Sequence, residues 1–575
     1  MSKPLLPAPP VLLTFLTALL ILLGAGHLLP QSIGEVRFWA LDAPRYLSIG
    51  WTAAAAVAAT LLFLRLQPKP GAVGTAEGGT TASLSPGRGA TLLWLTLPLV
   101  LFVVLRSEYA FLGDNFLRVH EAERGLSSPN EVGIMAIFHL GTRIARSHDW
   151  GDARGVITLV SWIAGALFVA VTLAFARRSA QPGLVFSGLL AGGASLLFCG
   201  YVEVYPLVLA VGAASVHFAW RAARGDSPPW IAILLSAAAI ALHRIAIVWA
   251  PVAVLPILLA PGTTVPRRAL WLALVLPWIL GITAVVATPL GGGLLLPLFG
   301  GNNPHYQLLS AARLSDFLNA QWIGSFAGAL LAPVALLQVL RAPSIDRPTL
   351  VLGAAWYLPF VVLFFFRPTL GGADWDVLAL ASPFAALFAL TVLPPAVPRA
   401  VVALSLALAL PWIAAQHGDP AVARVRDLIR TDRGDYYRTH PPEMHLAMLF
   451  GSNRRFAEQE EELKAGAARF PKDPRYPYNL SALYRLQARW DLAETFATRS
   501  WQMERAYLPP VDVLYDVFRE TGRREDQLLA GLALLEAYDS QREAVTKYLS
   551  ERRIEQIRSE VEALRHLLPP ETGPH

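Results

Sequence analysis

Between residues 11 and 415 the chain is a succession of long apolar runs, and nearly all of its charge is pushed into the breaks between them. No other feature constrains the fold as tightly. A bilayer core about 30 Å thick takes roughly 20 apolar residues per helix, with a range of about 17–25. The runs are Val11–Leu28, Leu47–Leu64, Thr91–Leu105, Val156–Ala176, Gly183–Cys199, Val202–Trp220, Trp230–Leu242, Ile245–Ala260, Ala269–Ala287, Phe317–Leu340, Leu350–Phe366, Val377–Leu393 and Ala400–Ala415. Trp230 to Ala260 is interrupted by His243 and Arg244. It reads as two short helices meeting at an interface, with one long tilted helix as the alternative. The expected fold is all-α, a polytopic bundle of about thirteen spans.

Positive charge marks the cytoplasmic side of a membrane protein. With Lys3 inside and the chain alternating, Arg65, Lys69, Arg88, Arg177, Arg178, Arg221, Arg224, Arg267, Arg268, Arg341, Arg347 and Arg399 all fall inside. Arg37 and Arg45, in the first outer loop, break the rule. The N-terminus is then cytoplasmic and the C-terminus lies outside. Val11–Leu28 is long for a signal peptide and reads as an anchor, although Gly24-Ala25-Gly26 would suit cleavage.

Of the 575 residues, 54% are hydrophobic and 16% charged, where a soluble domain carries roughly 25% charged. Arg and Glu become dense only beyond Asp419. Four regions follow: a two-helix membrane preface (1–66), a flexible cytoplasmic linker rich in Pro, Gly, Ser and Thr (67–90), a membrane body (91–418) whose longest outer loop is 106–154, and a soluble helical region (419–575). The net charge of +6 sits largely at the ends of apolar runs and does not point to nucleic acid. Cys199 is the one cysteine, so neither an internal disulfide nor a cysteine metal site is available.

With this topology the unusual polar residues gather on the outer face. The loop 106–154 carries Glu108, Asp114, Arg118, His120, Glu121 and Glu123. Within it, Glu131–Arg146 places Ile134, Ile137, Phe138, Leu140 and Ile144 near helical spacing, an amphipathic helix for the membrane surface. Further outer residues are Glu203 between Tyr201 and Tyr205, the pair His243-Arg244, His305 after Asn302-Asn303, and Arg367, Asp374 and Asp376. Each has a plainer reading. Asp114 would stabilise a turn, Glu203 would suit a helix N-terminus, and Asp374 would cap the helix that follows. His243-Arg244 would mark a membrane interface, because a charge near the bilayer centre costs about 2.5–3.5 kcal/mol on insertion scales.

In the soluble region Tyr478-Asn479-Leu480, Leu483-Tyr484, Trp490-Asp491, Ala493, Phe496-Ala497 and Pro509 follow one another at offsets that resemble a tetratricopeptide repeat. A second, degenerate copy begins near Val511: Leu480 aligns with Leu514 and Ala488 with Gly522, at about the 34-residue period of that repeat. Such repeats offer a concave groove for a protein partner, the alternative being a small bundle without one.

A long outer loop with an early acidic residue, a surface helix and many spans resembles the GT-C superfamily of membrane glycosyltransferases, which includes protein mannosyltransferases, oligosaccharyltransferases and aminoarabinose transferases. The likeness runs from Thr91 to Ala415 and includes Gly113-Asp114-Asn115. The patterns Gly-Tyr-Val-Glu-Val-Tyr-Pro and Gly-Ala-Asp-Trp-Asp are similar to those of bacterial membrane proteins that join such a body to tetratricopeptide repeats. The chain departs from the family in its preface and in Asn115, which stands where a paired acidic motif would continue. The resemblance implies a bacterial plasma membrane, a polyprenyl-phosphate sugar as donor and inversion at the anomeric carbon. It implies Asp114 as general base or as the carboxylate that positions an ion. Arg118, Arg244 and Arg367, with His243 beside them, would take the leaving phosphate. Glu203 and His305 would line the substrate, and Asp374 and Asp376 would orient sugar hydroxyls or complete a Mg²⁺ or Mn²⁺ site. The competing functions are a surface-polysaccharide polymerase or ligase, a transporter, and a non-catalytic scaffold for the repeat domain.

Overall fold

The structure is a computed structural model and describes residues 9–29, 32–33, 36–67, 88–107, 115–125, 129–259, 264–287, 295–298, 307–368, 374–431, 442–452, 454–546 and 548–567. Most of the expected linker therefore lies outside the described residues, as do Asp114 and His305. The chain divides into two compact units, 1–437 and 438–575.

The first unit is an all-α, multi-pass membrane body. Helices satisfy every backbone group within one segment, so apolar sequence in a bilayer has few other choices. Among the described residues seven helices are long and apolar enough to cross: Pro10–Leu28, Ala153–Arg177, Tyr205–Ala223, Arg268–Val286, Arg347–Phe365, Trp375–Val392 and Ala396–Ala414. Four shorter apolar helices, Ile49–Arg65, Thr91–Val104, Trp230–Leu242 and Arg244–Leu258, fill four more runs, whereas the expected span Gly183–Cys199 is divided into the helix Pro182–Leu190 and a 3-10 turn Gly193–Phe198, broken at Ala191-Gly192. The apolar stretch Phe317–Leu340 is not one straight helix. Ala311–Gly324 and Phe326–Arg341 meet at 100°, because Ser325 is extended and its Oγ accepts from the Gly328 amide, starting a new helix. The break in Trp230–Ala260 falls at His243, as the two-helix reading expects.

Small and hydroxylic residues hold the helices together, as the absence of water requires. Ser215 donates to the Ala232 carbonyl of the next helix at 2.8 Å, and Ser161 donates to the Leu197 carbonyl at 2.7 Å. Two buried arginines serve carbonyl groups. Arg313 donates to Leu363 at 2.8 Å and to Phe364 at 3.1 Å, closing the last turn of Arg347–Phe365. Arg347 donates to Pro256.

The preface is packed into the body. Phe15, Leu19, Leu23, Ala59 and Phe63 form one core with Ala403 and Ala407, and the rings of Phe15 and Phe63 stack at 4.2 Å. Between its two helices, Trp39 donates to Asp316 at 2.8 Å. Asp42 accepts from Arg424 Nε at 2.9 Å, with both side chains wholly buried. Arg424 also lies over the Trp412 ring at 4.4 Å. The helix Gly418–Thr431 that carries it thus belongs to the membrane unit.

The second unit is built from helical hairpins: Pro442–Ser452 with Phe456–Arg469, Arg475–Leu486 with Trp490–Met503, and Pro509–Glu520 with Arg524–Ser540, followed by Arg542–Thr546 and Glu551–Leu567. Each of the three hairpin turns holds one left-handed residue, at 454, 488 and 522, an interval of 34 residues each time. The structure thus adds a hairpin ahead of the two repeats read in the sequence. Leu480, Leu483, Tyr484, Ala493, Ala497, Leu514 and Val517 share one core. The last helix closes the stack with Ile554, Ile557, Val561 and Leu564 against Val511, Tyr515 and Leu534.

Candidate functional site

The site forms where several helix ends meet. The helix Ala153–Arg177 begins at Asp152, whose carboxylate caps the Gly155 amide at 2.8 Å. Against its first turns pack Ala122 of the helix Asn115–Arg124, Ile134, Met135 and Phe138 of Val132–Ser147, and Val202 and Val204 of the turn before Tyr205–Ala223. Two glycines allow the approach. Gly200 has φ +68 and turns the chain so that Tyr201 and Glu203 enter the site. At Gly133 a Cβ would lie 2.1 Å from the Ala241 carbonyl, so only glycine lets Val132–Ser147 start against the end of Trp230–Leu242. The Arg244 amide donates to the Asn130 carbonyl at 2.8 Å across the same junction.

Arg118 is the hub of the described side chains. It is 7% exposed and its guanidinium pairs with Glu131, with Glu121 at 2.9 Å and with Glu203 at 3.4 Å. Glu203 is 2% exposed. The other oxygen of Glu131 is 3.8 Å from Nε2 of His243, which is also buried. His243 Nδ1 accepts from the Ile245 amide at 3.0 Å, so the neutral ring carries its proton on Nε2, facing Glu131. Its ring lies 5.4 Å from that of Tyr205. Tyr205 in turn feels the charges of Asp376, Asp374, Arg118 and Glu203.

Asp374 stands at the start of the short helix Trp375–Leu378 but makes no capping bond there. Asp376 is buried and its carboxylate accepts from the Val377 amide at 2.9 Å. Trp375, between them, donates to the Tyr201 hydroxyl at 3.1 Å and packs on Trp412 at 5.4 Å. The 374–376 segment is thereby tied to the turn that carries Glu203.

The structure therefore brings Arg118, Glu203 and His243 into one cluster and ties the 374–376 segment to it through Trp375 and Tyr201. Arg244 joins through its backbone, and its side chain is exposed. Arg367 follows the helix Arg347–Phe365 and is half-buried. Sequence reasoning missed Glu131, which links Arg118 to His243. In the sequence it reads only as the first residue of an amphipathic helix, and its side chain makes no cap bond there. The expected surface helix is divided: Ile134 and Phe138 face the site's core, while Ile137, Leu140 and Ile144 are exposed.

Among the described side chains, three carboxylates face the one guanidinium of Arg118. That environment favours partners with developing positive charge or with hydroxyl donors. The carboxylates turn toward Arg118, and no group of three or more His, Cys, Asp or Glu among the described residues is arranged to hold a metal ion. Asp114, which a Mg²⁺ or Mn²⁺ site with Asp374 and Asp376 would need, lies outside the described residues.

No family profile and no curated protein matches the chain. Among solved structures it is similar to ArnT from Cupriavidus metallidurans bound to undecaprenyl phosphate, at TM-score 0.38 and 15% identity, over 62% of this chain and 85% of that one. It is also similar to yeast Tom70, at TM-score 0.19 and 12% identity, over 76% of this chain and 96% of that one. Likenesses this loose carry no argument about what the chain does.

Proposed function

We propose that this chain is a GT-C-type membrane glycosyltransferase that moves a sugar from a polyprenyl-phosphate donor to an acceptor hydroxyl at the outer face of the membrane, with inversion. The observation that carries the reading is the cluster of Arg118, Glu121, Glu131, Glu203 and His243, built from three separate parts of the chain around Tyr205. In glycosyl transfer the sugar ring develops positive charge in the transition state, and a carboxylate-rich environment suits it. Asp114, in the segment just before Arg118, takes the proton of the acceptor hydroxyl as the oxygen attacks the anomeric carbon. The bond from that carbon to the phosphate oxygen breaks, and polyprenyl phosphate departs as an anion. Arg244, exposed beside the cluster, and Arg367 meet that anion, since guanidinium offers phosphate two donors at once. Arg118 holds the carboxylates in place and, through Glu131, the ring of His243. Glu203, Asp374, Asp376 and His305 bind sugar hydroxyls. The repeat unit receives a protein partner.

The test is sugar transfer by lipid-reconstituted protein from a panel of polyprenyl-phosphate sugars. Asp114→Asn should lower the rate by about 10²–10⁴ with folding unchanged. Transfer that survives would move the base to Asp374 or Asp376. No transfer from any donor would sink the reading in favour of a scaffold.

A further inference from the structure

The far end of the helix Ala153–Arg177, roughly 35 Å from Asp152 at 1.5 Å per residue, holds a cavity that the proposed reaction does not use. Its volume is about 220 Å³. Phe175, Val185, Trp220, Leu387, Leu390 and Leu393 form the apolar part of its wall, and Ser179, Gln181 and Thr391 join Arg178 in the polar part. The hydroxyls that reach it are turned to backbone: Thr391 donates to the Leu387 and Phe388 carbonyls at 3.0 and 2.8 Å, and Ser179 to Ala176 at 2.8 Å. Arg178, an exposed residue, lines the rim.

Three more arginines stand at the same helix ends. Arg224 lies over the Trp220 ring at 4.8 Å, and its guanidinium is 3.5 Å from the Arg178 carbonyl. Arg221 donates to the Asp226 carbonyl at 2.7 Å, and Arg177 to the Thr91 hydroxyl at 3.3 Å. Among the described residues the one carboxylate paired with any of these four is Asp226, 3.2 Å from Arg224. The cluster is therefore strongly positive and opens beside an apolar slot.

We infer that this cavity is a binding site for an anionic phospholipid, with the headgroup phosphate on Arg178 and Arg224 and the upper part of an acyl chain in the slot. Basic pockets between spans select such headgroups, and each basic residue near the surface strengthens binding about fivefold. A free phosphate would satisfy the arginines but leave the slot unfilled beside Trp220. The acyl chain supplies the apolar contact that the wall calls for, and the site stands whether or not the chain transfers sugar.

The test places the full-length protein in phosphatidylcholine vesicles and titrates in phosphatidylglycerol with brominated acyl chains. Bromine quenches tryptophan on contact, and subtracting the Trp220→Phe signal isolates Trp220. Quenching should saturate at a low mole fraction of the anionic lipid. The midpoint should move about fivefold upward in Arg178→Gln and in Arg224→Gln, with either variant sufficient if the other fails to fold. Inorganic phosphate should leave the curve unmoved. Equal quenching by brominated phosphatidylcholine, a midpoint indifferent to both substitutions, or displacement by inorganic phosphate would each overturn the inference.

Discussion

The two ends of the helix Ala153–Arg177 carry charge in opposite ways. At the first end Arg118 is buried among Glu121, Glu131 and Glu203. At the last end Arg177 and Arg178 are exposed, with Arg224 beside them, and among the described residues the one carboxylate is that of Asp226, paired with Arg224. The same residue type does two jobs. A buried guanidinium is fixed by its partners and in turn fixes them, because taking either partner away strands a charge in low dielectric. An exposed one remains available to whatever anion arrives, and its own ion pairs contribute little. Burial, more than the number of charges, separates a site that organises side chains from one that recruits a ligand.

That contrast can be broken most sharply at Arg118. Arg118→Ala leaves Glu131 and Glu203 buried without their counter-charge and should cost about 3–5 kcal/mol in detergent-solubilised unfolding; an unchanged midpoint would refute the buried-hub description. His243→Gln should misplace its neighbours in the proposed site and lower sugar transfer by about 10²-fold while leaving the unfolding midpoint near wild type. A fall in stability without that kinetic loss would make the histidine structural only. In the repeat unit, Arg485 pairs with Asp512 and Asp516 from a partly exposed position, so Arg485→Ala should cost only about 0.2–1 kcal/mol. Arg178→Gln, at the exposed end, should change stability by less than about 0.5 kcal/mol. The smallest effect concerns pH. Burial raises the Glu460 carboxyl, but hydrogen bonds from Lys464 and Tyr484, with the charges of Lys464 and Arg489, outweigh it and hold the group below its ordinary value. A depressed carboxylate stabilises the fold above the unfolded value, about 4.3, and loses that contribution as pH falls through the folded one. Thermal unfolding between pH 6 and 3 should therefore be flatter in Glu460→Gln than in wild type.

Hydropathy makes most of the helices legible because it is a local, one-dimensional property: the apolar runs become helices, and the interruption at His243 becomes a break. Ser325 interrupts nothing in the hydropathy of Phe317–Leu340, so the 100° bend it starts is silent in the sequence. Arg424 looks like the start of a charged tail, and only the fold reveals Asp42 beneath it. The same holds for the site. Glu203 and His243 stand out as polar residues in apolar surroundings. Glu131 does not, because its importance comes from Arg118, thirteen residues before it, and His243, far along the chain. The first repeat hairpin lacks the aromatic offsets of the second and is betrayed by the left-handed turn at Arg454.

The buried pair of Asp42 and Arg424 also sets an order of events during synthesis. The two residues are 382 positions apart. At roughly 5–20 residues per second of translation, the aspartate emerges about 20–80 s before its partner exists. Throughout that interval the first hairpin holds a carboxylate whose final environment excludes water but does not yet supply a counter-charge. The pair therefore forms late, although its first member is made early. A chain cut short before residue 424 cannot make this pair, so it lacks the buried contact that joins the first and last parts of the membrane unit.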